Sequence, residues 1–138
     1  MQLDVKENPA FPGFTSLTVD YSGLTLASYA SEQAQEAQTI IDRLAPTYLT
    51  ILDETDTFTF HLHLPLDNAQ AAVEVLNLEL GGLRRGHTRV GAGTGTWMNS
   101  TIDQALVTQT SIDYLSVHVY PVDAQSLSQE HWTSNTAA

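Results

Sequence analysis

Ile112-Asp-Tyr-Leu-Ser-Val-His-Val-Tyr-Pro121 is the stretch whose reading decides the fold. From Tyr114 to Tyr120 its residues alternate in character, the period-two signature of a β-strand, and Pro121 ends it. One face carries Leu115, Val117 and Val119. The other carries Tyr114, Ser116, His118 and Tyr120. An aliphatic face of this kind packs on helices, so the polar face is expected to turn toward an interior, with His118 and Tyr120 at the C-terminal end.

Working upstream, strands and helices take turns. Val90 to Gly93 predicts a strand running into Gly91-Ala-Gly-Thr-Gly95, with a weak helix over Thr101 to Val107 after it. Asn68 to Arg85 predicts a helix through Ala69, Ala72, Val73, Leu76, Leu80 and Leu83, stopped by a left-handed Gly86. Tyr48 to Leu52 is a short, nearly all-apolar strand, the type buried on both faces. Leu26 to Leu44 repeats apolar or small residues every 3.6 positions, with Thr25 as N-cap and Pro46 beyond the end. Met1 to Val5 reads as the end of one more strand. Strands alternating with helices imply parallel pairing through crossovers. The fold expected is α/β: a partial (β/α)8 barrel of about four parallel strands, since a closed barrel needs eight units and about 250 residues. The alternative is a small open α/β sheet.

The 138 residues carry 42% hydrophobic and 15% charged side chains, which suits a folded chain with a core. Five Lys plus Arg against sixteen Asp plus Glu give a net charge of −11. Such a surface repels phosphates and anionic lipid, so neither nucleic acid nor membrane is expected as a partner, whereas an uncharged sugar is compatible. No cysteine is present, which removes disulfides and thiolate metal sites. No apolar run approaches the roughly 20 residues that span a bilayer, and Met1 to Asn8 has no signal-peptide core.

The strongest chemical signal is Leu52-Asp-Glu-Thr-Asp56, directly after the strand from Tyr48. A carboxylic acid at a strand end, walled by apolar residues and crowded by Asp53 and Asp56, can hold its proton and act as a donor. The plain alternative is an acidic loop in water. His118 and Tyr120 share a face and can bond hydroxyl groups or orient a carboxylate; a structural histidine is the competing reading. Trp97 is a stacking platform for a sugar ring or a packing residue. Gly91 and Gly93 come near a dinucleotide fingerprint, but its third glycine is missing and Thr96 stands there instead. His61 and His63 fall in a loop-like segment with no second ligand cluster, so no metal and no cofactor are expected.

Together, Tyr48-Leu-Thr-Ile-Leu-Asp-Glu-Thr-Asp56, Val90-Gly-Ala-Gly-Thr-Gly-Thr-Trp97 and Ile112 to Pro121 resemble successive strand ends of clan-A glycoside hydrolases, nearest to the cellulase-like family 5 type. The resemblance covers about residues 1–122 and corresponds to strands three to six, with Leu3-Asp-Val-Lys-Glu-Asn-Pro9 as the third strand and its loop. Residues 123–138 read as a polar tail. The resemblance implies a retaining hydrolase of β-linked poly- or oligosaccharide, extracellular, with Glu54 as acid/base and Asp53, His118, Tyr120 and Trp97 lining the sugar site.

The chain departs from that pattern at three points. Asp53 stands where the family has Asn, Thr55 where it has Pro, and the seventh strand with its nucleophilic Glu has no counterpart. Glu130 lies nine residues past Pro121, too near for a crossover. A retaining site needs two carboxyl groups about 5 Å apart. The expectation is therefore a hydrolase fragment inactive by itself. The alternatives are a carbohydrate-binding pseudoenzyme, or a half-barrel that associates through its open sheet edges.

Overall fold

The computed structural model describes Tyr21, residues 23–95, Met98 and residues 100–118; for Asp56 and His61 the backbone alone is described. The expected first strand, Trp97, Tyr120, Glu130 and the polar tail lie outside these residues.

Among the described residues, seven elements follow one another: α1 (Leu26–Leu44), β1 (Tyr48–Leu52), α2 (Thr55–Leu62), α3 (Ala69–Gly81), β2 (Arg89–Gly95), α4 (Ser100–Gln109) and β3 (Tyr114–His118). The helix ends have chemical causes. Thr25 and Ser28 cap α1 reciprocally, each side chain accepting from the other's backbone N–H. Ala45 closes it in the left-handed region at φ 45°. Asn68 caps α3 by accepting from the Ala71 N–H at 2.9 Å.

Two expectations change here. The segment expected as a loop around His61 and His63 is helix α2, although Thr57, Phe58, Thr59 and Phe60 are weak helix formers. Its last residue, Leu62, is buried in a cluster with Tyr29, Ala30, Leu64, Leu66 and Val75, so tertiary burial holds what local preference does not. The α3 helix ends at Gly81 rather than Arg85. Gly86 does adopt φ 58°, but it serves the turn that leads into β2.

Among the described residues the sheet has three strands, all parallel, in the order β1-β2-β3. The helices α3 and α4 lie on one face of it. Leu52, Val90 and Ala92 pack there with Ala72, Leu76 and Leu80 of α3 and Ile102 and Leu106 of α4. Each fully buried Leu in this cluster contributes about 1.5–3 kcal/mol, and α1 packs on α3 in the same layer.

From Gly91 onward the opposite face of β2 carries no side chains of its own. Val90, Ala92 and Thr94 turn to the helices, which leaves Gly91, Gly93 and Gly95 on the other side. Gly91, Gly93 and Gly95 pair in register with Tyr114, Ser116 and His118. The expected division of the last strand into two faces therefore agrees with the register for these three residues. The register of β1 slips once: Thr50 pairs with Gly91, and Leu52 pairs with Ala92. Ile51 is the extra residue of a bulge.

One side chain is at odds with its surroundings. Glu79 is fully buried on α3, and neither carboxyl oxygen has a hydrogen-bond partner among the described residues. Nearby on α1 the Tyr29 hydroxyl is also buried and unpaired. Burial pushes the Glu79 carboxyl up to about 8. The Tyr29 hydroxyl is likewise driven upward, by burial first and then by the charges of Glu79 and Glu36.

Candidate functional site at the carboxyl edge of the sheet

The bare face of β2 forms a trough, and side chains from the two flanking strands meet across it. A Cβ at Gly91 would run into the Tyr114 ring. With no side chain there, the Tyr114 hydroxyl crosses to the Thr50 hydroxyl of β1 at 3.0 Å, and its ring meets Tyr48 edge-on at 5.6 Å. A Cβ at Gly93 would collide with the backbone carbonyl of Ser116, so β2 and β3 approach closely at that point. Replacing Tyr114 with Phe removes the hydroxyl bridge between strands that do not pair with each other. The expected cost is about 1 kcal/mol, read as a lower denaturant midpoint with an unchanged slope.

One turn of pleat further along, at the carboxyl ends of the strands, His118 crosses the same trough. Its Nδ1 lies 2.6 Å from Glu54 Oε1, and its Nε2 lies 2.5 Å from Asp53 Oδ2. Side-chain exposures of 39%, 24% and 23% for His118, Glu54 and Asp53 leave the cluster open to a ligand.

Local backbone aims these groups. Because of the bulge, Leu52 drops into the helix-side core and Asp53 turns to the trough. Glu54 follows in the left-handed region at φ 47° and ψ 55°, a conformation that costs a non-glycine residue roughly 1 kcal/mol. It occupies the N-cap position of α2, but its side chain makes no cap and reaches His118 instead. Thr55 is the first residue of α2 and is fully buried.

The charges are coupled. The Glu54 carboxylate hydrogen-bonded to His118 holds the ring proton above its ordinary 6.5, and Asp53 adds to this through its charge. Asp53 is itself pushed above its ordinary value. Burial is the main cause, and the charges of Glu54 and Asp103 add to it; His118 and the Glu54 backbone pull the other way. Asp53 Oδ1 is buried and has no hydrogen-bond partner among the described residues. Asp103, in the first turn of α4, accepts from the buried Thr94 hydroxyl at 2.7 Å, and burial raises its proton affinity too.

Of the five residues predicted for the site, Glu54, Asp53 and His118 come together, while Trp97 and Tyr120 lie outside the described residues. Sequence reasoning missed Thr94, Asp103 and the role of the glycines. The glycines of the would-be dinucleotide motif sit inside strand β2, not in a loop opening a helix. Their signal was their spacing of two, which strips one face of a strand. Among the described residues no three His, Asp or Glu side chains are arranged to hold a metal ion, and no helix is long and apolar enough to cross a membrane. Compared with protein-family models, curated proteins and solved structures, the chain matches none.

Proposed function

We propose that this chain is part of a (β/α)8-barrel hydrolase of β-linked poly- or oligosaccharides acting outside the cell, and that Glu54 is its acid/base. The observation that carries the reading is the meeting of Glu54 with His118, from strands that do not pair, at the carboxyl edge of a parallel sheet. That edge is where barrel enzymes place their chemistry. Parallel strands in sequential order, with α3 and α4 on one face among the described residues, are compatible with part of a barrel wall. The acidic surface supports a neutral ligand. In this reading Glu54 protonates the leaving oxygen, and His118 with Asp53 lines the sugar site. The nucleophile, a second carboxylate, is proposed to come from outside the residues that carry the resemblance.

The test is calorimetric titration of the 138-residue chain with cello-, manno- and galacto-oligosaccharides, alongside an assay for reducing ends. Binding that is weakened at least tenfold in His118→Ala, with no hydrolysis, is the expected result. Absence of binding to all three series overturns the reading of the site. Turnover that vanishes in Glu54→Gln overturns the dependence on an external nucleophile.

A further inference from the structure

His118 touches a carboxyl group with each ring nitrogen. A neutral imidazole has one N–H and one lone pair, so it can donate to only one of two carboxylates. Two short contacts of this kind therefore hold two protons, one in each bridge. Either the ring is an imidazolium donating to both partners, or one carboxyl group is protonated and donates to a neutral ring. These forms have the same composition and the same charge of minus one. They differ only in where each proton sits along its bridge.

The two carboxyl groups are not equivalent. Asp53 keeps one oxygen buried with no partner, so its charge is poorly solvated and a proton on Oδ2 relieves it. Glu54 has its second oxygen approached by the Thr57 hydroxyl of α2 at 3.5 Å. From α4, Asp103 adds a further negative charge beside Asp53. From β3 itself, Tyr114 on the same face is engaged with Thr50.

We infer that Asp53, His118 and Glu54 form a proton relay, in which a proton stored on Asp53 is passed through the His118 ring to load Glu54. In the step the Asp53 Oδ2–H bond breaks as His118 Nε2–H forms. His118 Nδ1–H breaks as Glu54 Oε1–H forms. The ring begins and ends neutral, and only its tautomer changes. Asp53 begins as the acid and ends as the carboxylate, and Glu54 does the reverse. Asp53 and His118 are positioning residues here, acting through Glu54. Aspartate rather than asparagine is then required at position 53, because an amide can hydrogen-bond to the ring but cannot give it a proton. What Glu54 does with its proton rests on the hydrolase reading above; the relay itself does not.

The experiment is nitrogen-15 NMR of the His118 ring in the full chain, recorded from pH 5 to 9, in wild type, Asp53→Asn and Glu54→Gln. In the wild type, both ring nitrogens are expected to show proton occupancy well above the pH at which a free histidine has lost its charge. Each variant is expected to lower the proton affinity of the ring at least tenfold. A wild-type ring that titrates like a free histidine, with one fixed tautomer at neutral pH, overturns the relay, and this result needs no variant to fold. So does an Asp53→Asn titration superimposable on the wild type. If the relay signature is present but no oligosaccharide binds, the hydrolase reading fails and the relay stands.

Discussion

Gly93→Ala is expected to lower stability by about 3 kcal/mol, because the new methyl group has no space that side-chain motion can open. Its Cβ would overlap the carbonyl and backbone of Ser116, the residue paired with Gly93 on β3. Relief requires the two strands to separate, and that separation carries His118 away from Glu54. The measurement is thermal unfolding, where a loss of this size in a chain this small corresponds to more than about 10 °C. The matched control is Gly81→Ala at the end of α3, where a Cβ meets nothing within 4 Å. That substitution should be neutral or slightly stabilising. Equal effects at the two glycines would show that conformational entropy, not the close approach of β2 and β3, governs Gly93.

Glu79→Met is expected to stabilise the chain by a few kcal/mol at pH 8 and to change little at pH 4. The wild-type carboxyl group has an ordinary value of 4.5 in the unfolded chain and about 8 when folded. Between those values the folded state holds a proton that the unfolded state has released. Folding stability therefore falls as pH rises through this window, and is intact below it. The full loss is roughly 4–5 kcal/mol at 1.36 kcal/mol per unit. Methionine matches the length of glutamate and has no charge to desolvate, so the variant should lose this pH slope. Urea midpoints at pH 4, 6 and 8 for both proteins check it. A wild type with no slope across this range, or a variant less stable than wild type at pH 8, would mean that Glu79 is solvated or paired in solution.

Much of the architecture is written locally. The 3.6-residue repeat and cap of α1, the apolar run of β1 and the alternation of β3 each follow from neighbouring residues. The alternation of β3 by itself puts His118 on the same face as Tyr114 and Ser116. What local reading lost depends on contacts far along the chain. Thr57 to Phe60 lack helical preference, and α2 exists because Leu62 finds a cluster built from α1 and α3. Glu54 was visible as a strand-end acid, but its partner lies 64 residues away. Asp53 stands in the same acidic run, and its partner His118 is similarly distant along the chain. The strand expected over Val90 to Gly93 extends through Gly95, and the spacing of its glycines is what says trough.

The slip at Ile51 has a consequence of its own. Up to Thr50 the odd and even positions of β1 have one assignment to the two faces of the sheet, and from Leu52 they have the opposite one. Which residue arrives beside His118 is therefore a matter of parity. Run on without the slip, the same residues would turn Leu52 toward the histidine and Asp53 toward the helices, whereas loss of the extra residue Ile51 would regularise the strand and leave both facing as they do. The facing of the acid at this edge is thus set by one extra residue in the strand that leads to it.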